Sequence, residues 1–294
     1  MQPLIEQLIA NGPVITDGGW GTELQARGLA IGQFPEAWNL SHPERVAEVA
    51  RAYVAAGSRI VLTNTFGANP IRLAEAGLED RLIEINRAGV DISRRAVGER
   101  ALVFASMGPS GKLLPNGDIT PGELCAAFSE QAEALAAAGA DALVIETMTD
   151  SEEAVSAVAA ARKTGLPVVA CMVFDSGRNH DQTMMGTTPE EAACALSTAG
   201  ADVIGANCGQ GIAGFAAICR RLRSATDRPI WIKPNAGLPQ VVAGCAEYQI
   251  TPEEFSFFVP DLIAAGANFV GGCCGAGPAF ISAMRDQITA PVKL

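Results

Sequence analysis

Three of the eight cysteines lie in glycine-rich motifs. Cys273 and Cys274 are adjacent in GGCCG, and Cys208 lies earlier in the chain in ANCG. Three thiolates can bind a zinc ion and leave its fourth position open to substrate or water, as a catalytic zinc site requires. A pair of core cysteines and a redox-active neighbouring pair are the other interpretations, but neither accounts for the glycines. The pattern favours Zn²⁺ held by Cys208, Cys273 and Cys274.

Because Cys273 and Cys274 are adjacent, both can bind one metal ion only if the backbone bends between them. Neighbouring residues of a regular strand point to opposite faces, so both side chains reach one ion only where the chain bends. Gly271, Gly272 and Gly275 surround the pair and permit such a bend. We therefore expect a distorted strand end here.

The elements that position these cysteines form a repeating pattern. Eight β-rich runs, each followed by a polar or glycine-rich loop, predict strands at Val14–Asp17, Arg59–Thr65, Leu102–Gly108, Ala142–Thr147, Val168–Phe174, Val203–Cys208, Ile230–Asn235 and Phe269–Cys274. Stretches such as Ala126–Ala138 and Glu190–Thr198 predict helices between them. Alternating strands and helices predict a parallel sheet. Eight such units predict an α/β fold with one domain, a (β/α)₈ TIM barrel over residues 1–294. A doubly wound open sheet is the alternative, but GGWG at Gly18–Gly21 does not match its dinucleotide-binding fingerprint.

A weak internal repeat places polar residues at one end of this barrel. Four helices end in an Ala-Gly pair followed directly by a strand; the glycines are Gly57, Gly139, Gly200 and Gly266. Glycine suits these ends because it accepts the left-handed conformation. Seven and eight residues further on lie Asn64-Thr65, Glu146-Thr147, Asn207-Cys208 and Cys273-Cys274. The carboxyl ends of barrel strands are where such enzymes carry their active sites.

Composition excludes several classes of partner. The formal net charge is −11, so the chain has no basic surface for nucleic acid or for an anionic membrane. The sequence contains no run near the roughly 20 apolar residues that a membrane span needs, and its first residues do not read as a signal peptide. We expect a cytoplasmic protein with reduced cysteines and small-molecule substrates.

Five motifs together resemble the homocysteine S-methyltransferase family. They are DGGWGT, TNTFGAN, ANCG, KPNAGLP and GGCCG, and they occur in order along nearly the whole chain. Within this family the chain looks most similar to the homocysteine-binding module of cobalamin-dependent methionine synthase and to S-methylmethionine-dependent enzymes. The resemblance implies that residues 1–294 form a zinc-loaded, homocysteine-binding barrel.

The resemblance also implies roles for individual residues. Besides the three cysteines, Asn235 is expected to occupy the fourth zinc position until substrate arrives. Asp17 and Glu146 are expected to hold the substrate ammonium. Gly18 and Gly19 offer backbone N–H groups to its carboxylate, and Ser106 is a further contact. On the residues alone, Asp17 also fits a turn aspartate before two glycines, and Glu146 fits a buried pair with a Lys or Arg.

The implied reaction is methyl transfer to the thiol of L-homocysteine, which gives methionine. Zinc binding deprotonates such a thiol, so no general base is needed. The expected donor is S-methylmethionine or another small sulfonium; betaine, or a corrinoid protein acting in trans, are alternatives. A cationic donor favours aromatic faces, for which Trp20, Trp38 and Phe66 are candidates. A zinc hydrolase and a non-catalytic thiol-binding protein are the rival classes.

Overall fold

The computed structural model describes residues 2–242 and 245–289. Its strands are β1 Val14–Ile15, β2 Ile60–Val61, β3 Leu102–Met107, β4 Ala142–Met148, β5 Val168–Met172, β6 Val203–Cys208, β7 Ile230–Pro234, β8 Gln240–Val242, β9 Cys245–Glu247 and β10 Ala267–Val270. Eight of them form one parallel sheet in the order β1-β10-β7-β6-β5-β4-β3-β2. Because helices lie between the strands, the predicted (β/α)₈ barrel is confirmed.

The barrel closes where its two shortest strands meet. The backbone N–H of Arg59, just before β2, donates to the carbonyl of Ile15 in β1 at 2.9 Å. Further along, the N–H of Leu62 donates to the side chain of Asp17 at 2.7 Å. A carboxylate thus replaces a main-chain acceptor. This is why β1 and β2 end sooner than the predicted runs Val14–Asp17 and Arg59–Thr65.

The helices are α1 Pro3–Ile9, α2 Trp20–Ala26, α3 Trp38–Ser41, α4 Pro43–Ala56, α5 Pro70–Glu75, α6 Leu82–Val97, α7 Pro121–Ala137, α8 Ser151–Arg162, α9 Pro189–Ala199, α10 Phe215–Ala225, α11 Pro252–Ser256, α12 Val259–Ala264 and α13 Pro278–Thr289. Three of them, α7, α9 and α11, begin with the same sequence pattern, Thr-Pro-x-Glu, which forms a capping box with proline at the first helical position. Gly57, Gly139, Gly200 and Gly266 all have positive φ, as the Ala-Gly repeat predicted. Within the described residues, no helix combines the length and the hydropathy that crossing a membrane requires.

Two parts of the sequence prediction need correction near the cysteines. The eighth barrel strand, β10, ends at Val270 and not at Cys274. Residues 271–273 continue as irregular backbone that still bonds to β7, with the N–H of Gly271 donating to the carbonyl of Ile232 and the N–H of Cys273 to that of Pro234, and a turn follows at 274–275. The antiparallel hairpin β8–β9 follows the predicted strand Ile230–Asn235, in a segment for which no strand was predicted. Both differences place irregular backbone at the carboxyl end of the barrel.

The opposite end of the barrel is filled with apolar side chains. Trp231 lies between Phe104 and Phe269, with ring centroids 6.2 and 5.2 Å away. Ile5 and Leu8 of α1 pack against the same cluster. The interior is thus solid at the amino ends of the strands, which leaves the carboxyl ends for a cavity.

Candidate metal centre and active site

Three cysteine sulfurs meet beyond the carboxyl ends of β6 and β10. Cys208 is the last residue of β6, and Cys273 and Cys274 lie in the segment after β10. Their Sγ atoms lie within 4.8 Å of one another, and those of Cys208 and Cys273 are 3.0 Å apart. All three are free thiols. The structure therefore brings together the three residues that the motifs indicated.

The size of this sulfur triangle suits one tetrahedral metal ion. Two sulfurs bound to zinc at about 2.3 Å lie about 3.8 Å apart at the tetrahedral angle. The observed separations, from 3.0 Å to at most 4.8 Å, span that value. Thiolates select soft or borderline ions over Mg²⁺ and Ca²⁺. The cluster can thus hold a metal ion.

Glycines let the segment after β10 enter the barrel mouth. A Cβ at Gly271 would lie 2.0 Å from the Oγ1 of Thr16, and one at Gly18 would lie 1.9 Å from the carbonyl oxygen of Ala276. Gly275 has a φ of +81°. The DGG and GGCCG motifs are therefore packed backbone to backbone, which is why both are rich in glycine.

Two strand ends beside the sulfurs adopt a conformation that is rare for residues other than glycine. Cys208 has a φ of +61° and Thr147 a φ of +64°, each at a cost of about 1–3 kcal/mol. Asn207 holds them: its Oδ1 accepts from the N–H of Thr147 at 2.8 Å, and its Nδ2 donates to the Oγ1 of Thr147 at 2.7 Å. The same Nδ2 lies 3.7 and 3.8 Å from the sulfurs of Cys208 and Cys273. A donor so placed stabilises anionic sulfur.

Asn235 connects the two cysteine-bearing segments through their backbones. Its side-chain Nδ2 donates to the carbonyl of Gly209 at 2.8 Å, and its Oδ1 accepts from the N–H of Cys274 at 3.0 Å. Its own N–H donates to the carbonyl of Cys208. Asn235 does not line the cavity. Asn235 thus positions the two cysteine-bearing segments, and its expected role as a fourth zinc ligand stays a prediction.

The three thiols influence one another's protonation. Contacts with the thiols of Cys208 and Cys273 lower the pKa of Cys274 to about 3, although burial opposes the shift. Contacts with Cys273 and Cys274, together with burial, raise the pKa of Cys208. The three thiols therefore do not ionise independently of one another.

The sulfurs lie in the wall of a cavity of about 290 Å³, near the lower end of the roughly 300–1,000 Å³ of small-molecule sites. Seven of the nine expected site residues line it: Gly18, Gly19, Ser106, Glu146, Cys208, Cys273 and Cys274. Asp17 and Asn235 do not. The cavity has the size for small substrates.

Glu146 is an acidic residue in the wall of the cavity. It lies at the end of β4, is 8% exposed, and accepts a hydrogen bond from the Oγ of Ser106 at 2.5 Å. Burial raises its pKa to about 7, although the charge of Lys233 opposes the shift. Near neutral pH this carboxyl group therefore changes between its neutral and anionic forms.

One of the two glycines expected to bind the substrate carboxylate already uses its N–H within the protein. The N–H of Gly19 already donates to the carbonyl of Ala276 at 3.0 Å. Gly19 therefore contributes shape to the cavity, and Gly18 is left as the candidate donor of the pair.

Asp17 is paired within the protein. It is fully buried, and its Oδ1 lies 2.5 Å from the Nζ of Lys233, which is 2% exposed. Its Oδ2 accepts from the N–H of Leu62 and from the Nε1 of Trp20, both at 2.7 Å. Burial alone would lower the pKa of Lys233, but the charges of Asp17 and Glu146 raise it. Asp17 thus has both oxygens occupied by protein groups, and its expected contact with the substrate ammonium stays a prediction.

The aromatic candidates divide into two groups. Trp20 and Phe66 line the cavity. Trp38 does not: it packs against the ring of His42, with centroids 4.6 Å apart, and Arg45 lies over its face.

Two charged residues of the cavity wall, Lys233 and Glu36, were not predicted as site residues from the sequence. Lys233 stands in the motif KPNAGLP within an otherwise apolar strand, and a lone lysine in a buried strand was a usable signal. Glu36 is 3% exposed and lies in a short turn before α3, where nothing in the sequence distinguishes it from a surface glutamate.

The protein is a (β/α)₈ barrel with a cavity lined by three cysteine thiols at the carboxyl ends of its strands, as in barrel enzymes. The model of the family described as homocysteine S-methyltransferase matches residues 14–288. The chain belongs to this family, as its motifs predicted.

Individual relatives agree with this assignment. The methionine synthases of Mycobacterium tuberculosis and Mycobacterium leprae are 32% and 31% identical over 91% and 92% of this chain, which spans about a quarter of their length, 24% in each case. The oxidized form of the homocysteine methyltransferase MmuM from Escherichia coli is 25% identical, with a TM-score of 0.81 over 98% of this chain and 100% of that one. The metallated form of MmuM has the same TM-score at 24% identity, covering 97% and 100% of the two chains.

Proposed function

We propose that this protein transfers a methyl group to the thiol of L-homocysteine, with Zn²⁺ held by Cys208, Cys273 and Cys274, and gives methionine. The observation that carries the proposal is the triangle of three sulfurs, mutually within 4.8 Å, in the wall of a small cavity. The metallated form known for MmuM supports a metal here. The all-sulfur donor set favours zinc.

The residues around the sulfurs are suited to hold homocysteine. Glu146 in its anionic form pairs with the substrate ammonium, and Ser106 fixes the orientation of the Glu146 carboxylate through its hydrogen bond. The N–H of Gly18 faces the substrate carboxylate. When bound, Zn²⁺ would lower the pKa of the substrate thiol, so that the thiolate predominates at neutral pH.

The transfer is a displacement at carbon. The thiolate sulfur of homocysteine attacks the methyl carbon in line, a new C–S bond forms, and the bond to the donor atom breaks with its electron pair. From a sulfonium such as S-methylmethionine, the leaving group is a neutral thioether. The apolar cavity wall at Leu62 and Phe66 excludes water and favours this charge-neutralising step. The substrates are thus small molecules, and residues 1–294 act as one homocysteine-binding unit.

A panel of methyl donors tests the proposal. Zinc-loaded protein is incubated with homocysteine and, separately, with S-methylmethionine, S-adenosylmethionine, betaine or methylcobalamin, and methionine is measured. We expect methionine from a sulfonium. Turnover with betaine or methylcobalamin alone would assign the donor to those alternatives, the latter pointing to a corrinoid protein in trans. No methionine from any donor, or full activity without metal, would contradict the proposal.

A further inference from the structure

The side chain of Asn207 has a fixed orientation behind the ligand sulfurs. Asn207 is fully buried near the end of β6 and does not line the cavity. Its amide accepts a hydrogen bond from the N–H of Thr147 at 2.8 Å. A backbone N–H can only donate, so the amide oxygen must make this contact and the amide nitrogen must take the other position. The structure thus fixes where the two N–H bonds of this nitrogen lie.

Two side chains direct hydrogen-bond donors at two of the three sulfurs. The Nδ2 of Asn207 donates to the Oγ1 of Thr147 at 2.7 Å and lies 3.7 and 3.8 Å from the sulfurs of Cys208 and Cys273. Because Oγ1 accepts from Nδ2, the hydroxyl hydrogen of Thr147 is free for the sulfur of Cys208, 3.8 Å away. Cys208 therefore has two such donors and Cys273 has one.

The third sulfur is held differently. Cys274 is bound through its backbone N–H, which donates to the Oδ1 of Asn235 at 3.0 Å. Among the side chains that the structure describes, the N–H and O–H donors at the cluster contact Cys208 and Cys273 and not the sulfur of Cys274. The three ligand sulfurs are thus not equivalent.

This difference matters because four sulfurs compete for one methyl group in the proposed function. A ligand thiolate that attacked the methyl donor would become a neutral thioether, S-methylcysteine, and the donor would leave with the electron pair of its broken bond. The metal centre would then lose a thiolate. A hydrogen bond to an anionic sulfur lowers its electron density and its nucleophilicity. Since Asn207 lies outside the cavity wall, its N–H reaches the ligand sulfurs and not a sulfur that enters through the cavity.

We propose that Asn207 and Thr147 determine which sulfur is methylated. Their hydrogen bonds make the sulfurs of Cys208 and Cys273 poorer nucleophiles than the sulfur of bound homocysteine, so that the methyl group goes to the substrate. Asn207 is then a specificity-determining residue of the second coordination sphere, which carries no substrate contact itself. This inference rests on the proposed function, because it concerns competition within the same site.

Methylation of the cysteines by iodomethane tests the inference. Zinc-loaded protein is treated without homocysteine; a cysteine sulfur forms a C–S bond as the C–I bond breaks and iodide leaves. Peptide mass spectrometry gives the rate at each cysteine, with Cys274 as the internal reference. In Asn207→Leu we expect the rates at Cys208 and Cys273 to rise about 3- to 10-fold relative to Cys274, the effect on nucleophilicity of losing a hydrogen bond to anionic sulfur. All variants are compared at zinc concentrations that give one ion per chain, which elemental analysis checks.

Thr147→Val removes one donor and keeps the branched shape of the side chain. It should raise the rate at Cys208 about threefold relative to Cys274, and Thr147→Ser, which keeps the hydroxyl, should have the wild-type ratio. Asn86→Leu is the matched control. Asn86 is also fully buried, donates to the carbonyls of Ala68 and Leu82, and does not line the cavity. It should leave the ratios at all three cysteines unchanged.

Other results overturn the inference. If Asn207→Leu and Thr147→Val both leave the ratios to Cys274 unchanged, the hydrogen bonds do not control the reactivity of the ligand sulfurs. If Asn86→Leu raises the same ratios, the cause is a general loosening of the barrel. If Asn207→Leu does not fold or does not hold zinc, Thr147→Val against Thr147→Ser decides in the same way. If no methyl donor gives methionine, the proposed function fails, whereas the iodomethane ratios still support or contradict the roles of Asn207 and Thr147.

Discussion

Two sets of polar side chains in or beside the cavity wall differ in whether their hydrogen-bonding and charged groups already have partners in the protein. Asp17 and Lys233 neutralise each other, and the remaining oxygen of Asp17 accepts two further hydrogen bonds. The sulfurs of Cys208, Cys273 and Cys274 mainly contact one another. The first set holds the barrel closed at β1 and β2. The second is left available to a ligand. Both sets lie at the carboxyl ends of strands, so this position does not distinguish them. They differ in that the first set has its hydrogen bonds satisfied within the protein and the second does not.

Removing a sulfur is the strongest way to test the second set. In Cys273→Ala, we expect zinc content to fall from about one per chain to near zero. Methionine formation should fall by more than about 1,000-fold, because a free thiol with a pKa of about 8.5 is only a few per cent ionised at pH 7 and also loses its positioning. Elemental analysis after dialysis and initial rates measure both effects.

Cys219→Ala provides the control for that variant. Cys219 is fully buried away from the cavity, burial raises its pKa to about 12, and its thiol donates to the carbonyl of Ala265. This variant should keep its zinc and its rate. A Cys273→Ala protein that retained stoichiometric zinc would show that the sulfur triangle is not the metal centre.

Breaking the ion pair tests the first set. Lys233→Met leaves the charge of Asp17 buried without its partner, which should lower the free energy of unfolding by about 3–5 kcal/mol. Urea denaturation at fixed zinc concentration measures the loss. The double variant Asp17→Asn, Lys233→Met removes both charges and should recover part of the stability. If the double variant were as unstable as the single one, the pair would not be what supports the β1–β2 junction.

The features that could be predicted from the sequence are the local ones, and those that depend on contacts between distant residues could not. The long strands β3 to β7 were predictable because their apolar runs are local, and the cysteines were predictable because glycines surround them. The partner of Asp17 was not, since Lys233 lies 216 residues away and only the closed barrel brings the two together. The clamp made by Asn235 was equally hidden, because its side chain bonds backbone groups of Gly209 and Cys274 that carry no sequence signal.

Glu146 lies between the two sets, because it has one protein partner, Ser106, and is open to the cavity. Burial raises its pKa to about 7, so the anion that pairs with ammonium forms as the pH rises through 7. We expect the KM for homocysteine to be about 10-fold higher at pH 6 than at pH 8 in the wild type. In Glu146→Gln it should be about 10-fold higher than in the wild type at pH 8 and nearly independent of pH. Initial rates between pH 6 and 8 measure this.

The pH dependence of the free energy of unfolding gives a second test of Glu146. Higher pH should improve homocysteine binding but lower the stability. A carboxyl group whose pKa is raised by folding binds its proton more tightly in the folded chain, so the protein loses stability as the pH rises from about 4.5 through 7. Glu146→Gln should remove this loss and be at least as stable as the wild type at pH 8. Glu153 is 4% exposed, accepts from the N–H of Ser110 and does not line the cavity, so the control variant Glu153→Gln should keep the wild-type pH profile of the KM. If Glu146→Gln also kept the wild-type pH dependence of the KM, that dependence would come from the thiols and not from Glu146. Another cavity residue would then have to hold the substrate ammonium.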